Sequence, residues 1–261
     1  MIRSLLAAFL LLVIVSPLAT AQDTPMPSSA VTKTPDYDVV SIHIERQGQD
    51  FTHTEVKDGA YSATNVTIKD LLEQAYDVRE DLISGVPASL GSVQFDVRAK
   101  IVDLDLATVG KLTDPQRRAM LLPILAERFH LKAHLATRDM PVYDLTLQKD
   151  GPKFSLSPDQ TSQDESTTVH NTAFKVRNTS MAIFAKTLSH QLHRTVIDKT
   201  GLTGIYDLDL RWTGDDLQNP DPNAPPGLFT ALEEQLGLKL QSAKGPVSIL
   251  VVDHIELPTE N

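Results

Sequence analysis

The longest apolar run in the chain comes first: Leu5 to Val15 carries no polar side chain. Beyond it, apolar positions recur at regular intervals. Ile68, Leu71, Leu72, Ala75 and Tyr76 follow the i, i+3, i+4 spacing of a one-sided helix, and so do Met181, Phe184, Ala185, Leu188 and Leu192. A third stripe holds Leu121, Ile124, Leu125 and Phe129, and a fourth Leu228, Leu232 and Leu236. Two stretches alternate instead, Phe95 to Ala99 and Tyr206 to Leu210, which predicts strands with one buried face. Ile249 to Val252 is continuously apolar, as in a strand buried on both faces.

Punctuation refines these elements. Asp114-Pro115 predicts an N-cap followed by proline at the first helical position. Pro123 predicts a kink in that helix or a shortened one. Gly237 suits the left-handed residue that ends a helix. Residues 22–35 are rich in Pro, Ser and Thr and read as a flexible leader. Residues 155–168 are almost devoid of apolar side chains and read as a linker or long surface loop, and 215–226 read as a third polar loop.

The linker separates two stretches with the same order of motifs. Tyr61-Ser62-Ala63-Thr64-Asn65 and Phe174-Lys175-Val176-Arg177-Asn178 each precede a helix. Ser84-Gly85 and Thr200-Gly201 mark turns, and each is followed by an alternating strand. Phe129-His130-Leu131-Lys132 matches Leu236-Gly237-Leu238-Lys239, and Met140-Pro141-Val142-Tyr143 matches Gly245-Pro246-Val247-Ser248. The offset falls from 113 residues (Tyr61 against Phe174) to 105 (Met140 against Gly245). Each half, 36–154 and 169–261, reads as hairpin, helix, strand, helix and closing hairpin. The expected class is therefore α+β. It has two duplicated halves, each with helices packed on one face of a mixed or antiparallel sheet.

Composition adds an address. Arg3, the apolar run, the break at Ser16-Pro17 and the small residues of Ala19-Thr20-Ala21 form a signal peptide over residues 1–21, with cleavage before Gln22. The run falls short of the roughly 20 apolar residues a bilayer span needs. The expected location is therefore periplasmic or extracellular, with membrane association only through an uncleaved signal peptide. Removing Arg3 with the peptide takes the net charge from −10 to −11, and an acidic surface disfavours nucleic acid as a partner. With no cysteine there is no disulfide and no thiolate metal site. The exported fold is expected to rely on packing alone.

Several motifs together resemble a known family. They are the stretch from Val196 to Asp207 (with Asp198, Lys199, Thr200, Gly201, Gly204 and Tyr206), Leu228 to Leu240 with Gly237, Lys244-Gly245-Pro246-Val247, Val252-Asp253-His254, Glu127-Arg128-Phe129, Thr137 to Tyr143 with Met140-Pro141, and Gly151-Pro152-Lys153. These are similar to an uncharacterised family of exported proteins expanded in soil Acidobacteria, over almost all of the chain from Tyr37. The resemblance implies fold and location rather than chemistry. Similar domains are also found fused to membrane metallopeptidases of the β-lactam-sensor type, a part this chain lacks. Two departures stand out: Ala88-Ser89-Leu90 where members often carry Trp, and Pro123 in a helix usually uninterrupted. The unit ending at Leu238 also resembles, more weakly, the short N-terminal modules of secretins and TonB-dependent receptors.

No catalytic motif emerges. Asp198-Lys199-Thr200-Gly201 matches the start of the phosphorylation motif of ion-pumping ATPases, but turn geometry accounts for the same residues, and an exported chain has no ATP. His190 and His193 can share a helix face, and His130 and His134 are expected on one side of a strand. No third ligand at metal spacing accompanies either pair, so neither metal nor cofactor is expected. Asp207 and Asp209 are expected on the solvent face of their strand. Trp212, the only tryptophan, is expected to pack at a core or an edge. Gly-x-Ser-x-Gly, Ser-x-x-Lys and a phosphate-binding glycine loop are absent. The reading leans away from an enzyme. It expects a binding module that recognises an envelope protein or another envelope component. The alternatives are an extracytoplasmic enzyme with a non-standard site and a soluble relative of a sensor ectodomain. Acidic or His side chains from both halves converging in a deep pocket would favour the enzyme.

Overall fold

The structure, a computed structural model, describes residues 36–45, 51–102, 112–160, 166–170, 172–214 and 224–258. The signal-peptide and leader readings, and most of the 215–226 loop, lie outside the described residues. The described residues all fall within one compact unit.

The first half runs β1 (Asp36–Ile44), β2 (His53–Lys57), β3 (Ala60–Thr67), α1 (Ile68–Tyr76), a 3-10 turn (Glu80–Leu82), β4 (Ile83–Ser84), α2 (Ala88–Gly91), β5 (Gln94–Val102), α3 (Asp114–Arg128) and β6 (Lys132–Leu147). The second runs β7 (Ser155–Leu156), β8 (Ser166–His170), β9 (Ala173–Thr179), α4 (Met181–Leu192), β10 (Val196–Asp198), β11 (Tyr206–Arg211), α5 (Leu228–Ala231), a π turn (Leu232–Leu236) and β12 (Leu238–His254). The class is α+β, as the periodicity predicts. Within the stretch read as a linker, β7 pairs with β11 and Ser157 is buried.

The described residues form three four-stranded sheets. Two are antiparallel, with orders β1-β5-β3-β2 and β7-β11-β9-β8. The third, β10-β6-β12-β4, is mixed: β6 and β12 pair antiparallel along almost their whole length, and the short outer strands run parallel to them.

The third sheet corrects an expectation. Each half was expected to close with its own hairpin, yet β6 and β12 are single long strands that pair with each other. Pro141 and Pro246 do not break them, for a geometric reason. The N–H of Tyr143 points outward to Thr195 (2.9 Å), and Lys199 donates to the outward carbonyl of Leu145 (2.9 Å). Odd-numbered backbone groups of β6 therefore face away from β12. By register, even-numbered groups of β12 face away from β6, as the Ser84 hydroxyl on the Leu250 carbonyl (3.3 Å) confirms. Both prolines sit where a missing N–H costs no ladder bond.

Met140 lies directly opposite Gly245, the residue aligned with it between the halves. About that point the halves exchange outer strands. β4 of the first pairs with β12 of the second, and β10 of the second pairs with β6 of the first. The cores are exchanged too. The first is built on Ile68, Leu72, Phe95, Leu125 and Phe129 and is completed by Leu250, Val252 and Ile255. The second is built on Phe174, Phe184, Leu208 and Trp212 and is completed by Leu145.

The helices in front of this ribbon have matching starts and stops. Thr67 caps α1 by accepting from the Asp70 N–H (3.2 Å), while the Asp70 carboxylate accepts from the Thr67 N–H (2.8 Å). Ser180 caps α4 by accepting from Ile183 (3.3 Å). Both helices end on a left-handed residue, Asp77 (φ 57°) and His193 (φ 47°). At α3 the cap is Thr113 rather than Asp114, because Thr113 forms the capping box with Gln116 (2.9 Å) and Asp114 takes the first helical position. That helix also runs through Pro123 to Arg128.

Candidate functional site

The left-handed end of α1 turns the chain sharply, and residues 77–82 then run in front of α4. The junction between the halves is therefore lined by polar residues from both. Arg79 is its centre, only 8% exposed. Its Nε and Nη2 each donate to one oxygen of Asp81 at 2.8 Å, and Nη1 reaches the Thr195 hydroxyl at 3.4 Å. Asp77 joins three helices: it ends α1, pairs with Arg118 of α3 at 2.5 Å, and pairs with Lys186 of α4.

Three adjoining depressions surround this cluster. One of about 310 Å³ lies between Arg79, Lys186, His190 and the ribbon residues Pro246 to Ser248. A second, about 370 Å³, shares Arg79 and His190 with it and adds Lys69, Glu73 and His193. A third, about 350 Å³, lies between β2, α1 and α3 and shares Glu73 with the second and Asp77 with the first. Each is in the lower part of the range of ligand pockets.

The junction shifts its titrating groups. Burial, together with the Asp70 and Glu80 carboxylates, pushes Glu73 above the ordinary carboxylate range. Burial, with the charges of Arg79 and Lys186, holds His190 below the ordinary imidazole value. Burial alone would raise Asp81, but the hydrogen bonds and charge of Arg79 outweigh it and hold the carboxyl low. The arrangement sets a carboxyl of raised pKa and an imidazole of lowered pKa beside the cations Arg79 and Lys186. It can bind a polar ligand, and it has the components of an acid and a base.

The motif residues taken from the family resemblance do not converge here. Asp198 to Gly201 form a turn, in which the Asp198 carboxylate accepts from the N–H (2.9 Å) and hydroxyl (2.8 Å) of Thr200, and Lys199 pairs with Asp144 (3.0 Å). Gly204 lies under Tyr206, where a side chain would stand 2.9 Å from the phenol oxygen, and Tyr206 packs edge-on against Phe154. Asp207 accepts from the Asn178 N–H (3.1 Å) and Asp209 pairs with Arg177 (2.7 Å). Gly237 is left-handed, and a Cβ there would lie 2.3 Å from the Gly151 carbonyl. Met140, Pro141, Lys244, Gly245 and Pro246 form the ribbon centre; of these, Pro246 borders the junction. Tyr143 carries Arg194 over its ring at 4.1 Å. Trp212 is buried against Phe174.

Of the histidines, His190 and His193 line the same depression. His130 does not share a strand with His134: it is a left-handed residue ahead of β6, 3.5 Å from Glu256, whereas His134 pairs with Asp253 (2.7 Å). Among the described residues, no group of three or more His, Asp or Glu side chains could hold a metal ion, and no helix is long and apolar enough to cross a membrane. Sequence reasoning missed Glu73, Asp77, Arg79, Asp81 and Lys186. The local signal is the density of charge around the end of α1, since Arg79 and Asp81 pair locally but Thr195, Arg118 and Lys186, which tie this segment into the junction, lie on distant elements.

Residues 69–255 match a protein family described as a protein of unknown function. No curated protein and no solved structure matches the chain.

Proposed function

Since the chain belongs to the family of unknown function DUF3738, we propose its function from the junction: it is an exported, non-catalytic binding module that takes an envelope protein or other envelope component at the cleft between its halves. The observation that carries this reading is that Glu73, Arg79 and Asp81 from one half and Lys186, His190 and His193 from the other line open, ligand-sized depressions rather than the one deep pocket an enzyme would need. The family motifs shape turns and the ribbon, and of them Pro246 and Val247 border the cleft. The matched caps and exchanged strands support an internal duplication, and the cleft lies where its two halves would meet. Affinity capture from envelope extract is the test. Wild-type protein retains a specific component, and Lys186→Ala with His190→Asn reduces its recovery. Recovery of no specific component contradicts the reading.

One observation favours a second reading, an extracytoplasmic enzyme. The raised Glu73 and the lowered His190 line one depression, and their shifts suit a general acid and a general base. Turnover of an envelope substrate that Glu73→Gln and His190→Asn each abolish, with binding retained, would replace the first reading by this one.

A further inference from the structure

The depression beside β2 carries more than its volume suggests. Among the described residues, β2 pairs on one side only, with β3. The two strands are joined by the two-residue turn Asp58-Gly59, both residues left-handed (φ 51° and 74°), as in a type I′ hairpin. That turn fixes which backbone groups face outward. Lys57 and Ala60 form the first hydrogen-bonded pair, so Lys57, Glu55 and His53 are used by β3. The Gly59 carbonyl, turned the other way, accepts from Ile101 of β5 (2.8 Å), which agrees with this parity. The N–H and C=O groups of Thr54 and Val56 therefore point to the open edge.

The same two residues send their side chains toward the helices. The Thr54 hydroxyl accepts from Gln74 of α1 (3.0 Å), and Val56 packs with Ile101 and Met120. Beside the open edge lies the 350 Å³ groove walled by α1 and α3, with Val56, Tyr61 and Leu121 supplying its apolar surface. Its charge is one-sided. Asp77 and Arg118 neutralise each other, which leaves Glu55, Glu73 and Asp114 against Arg117. The whole chain is acidic as well.

We propose that this groove docks an extended, cationic segment of a partner protein, which adds to the edge of β2 as a further strand and lays alternate aliphatic side chains against Val56, Tyr61 and Leu121. Main-chain hydrogen bonds to Thr54 and Val56 hold the segment, and the pleat alternates its side chains between the groove and solvent. Acidic side chains along the groove select lysine and arginine over aspartate and glutamate. The assignment rests on the binding-module reading above and names its partner surface.

The test uses the full chain and a capped, fluorescent peptide of alternating lysine and valine, followed by anisotropy and by amide chemical shifts. Saturable binding is expected, with shifts centred on Thr54 and Val56. An alternating glutamate–valine peptide should bind at least about tenfold more weakly. Methylating alternate backbone nitrogens of the lysine–valine peptide should weaken it similarly in one of the two phases only, since one set of amides faces β2 and the other faces away. In the protein, Val56→Pro removes an outward donor and no ladder bond, so it should lower affinity. If that variant unfolds, the methylated peptides decide alone. No binding of the lysine–valine peptide, equal binding of both charge types, or shifts elsewhere overturns the proposal. Loss of the peptide result with envelope capture intact rejects this groove and leaves the junction reading standing. The reverse rejects the junction and leaves the groove.

Discussion

Asn65 and Asn178 do the same work in the two halves. Each is left-handed (φ 56° and 52°) at a register break in its strand, and each donates its N–H to an aspartate of the neighbouring strand, Asp96 at 2.9 Å and Asp207 at 3.1 Å. A short polar side chain tolerates this conformation and a β-branched one does not. Asn178→Val should therefore lower stability by about 1–3 kcal/mol in urea unfolding, and an unchanged midpoint would contradict the role. These asparagines were legible as repeat markers, because they recur ahead of each helix. Arg79 was not, because nothing near it in sequence shows that residues 77–82 fold against α4. Its neighbour His190 gives a pH prediction. The folded-state pKa lies below the unfolded value of about 6.5, so the unfolded chain takes up the proton first. The contribution of His190 is complete above that value and is lost as pH falls below it. His190→Asn should flatten the loss of stability on the acid side of neutrality; an identical profile would show that the imidazole is not held neutral by the fold.

At the scale of elements, the sequence showed the helices well and the long strands badly. Stripes at helical spacing identified α1, α3 and α4 because each buries one face, for example Ile68, Leu71, Leu72 and Ala75. Pro141 and Pro246 made β6 and β12 look divided, since the direction a missing N–H faces depends on a partner strand from the other half. The cap of α3 was misplaced by one residue because Asp114-Pro115 and Thr113 with Gln116 are both plausible starts, and only the hydrogen bonds decide between them. Thr113→Ala should cost about 1 kcal/mol, and Asp114→Ala distinctly less; the opposite order in thermal melts would restore the sequence-based cap. Gly85 is a sharper case. It is left-handed (φ 87°), and a Cβ would sit 2.2 Å from the Val252 carbonyl, so Gly85→Ala must push β4 off β12.

At the scale of the whole molecule, the exchange of outer strands makes the halves interdependent. The first core lacks Leu250, Val252 and Ile255 unless β12 is present, so a fragment ending at residue 154 should show no dispersed amide spectrum, whereas the full chain should unfold in one transition by Trp212 fluorescence and far-UV circular dichroism together. A folded fragment would refute that dependence. The same exchange places the cleft at the seam, where the end of α1, α4 and the ribbon centre meet. The proposed function therefore rests on the assembly of the halves rather than on any single motif. The central claim, that this seam is where the chain binds its partner, is tested most directly by photo-crosslinking in the native envelope from Ala182, which lines the cleft, and from Glu127, an exposed position that lines none of the three depressions. The account predicts a discrete crosslinked species from Ala182 and none from Glu127. The same species from both positions, or from Glu127 alone, would contradict it.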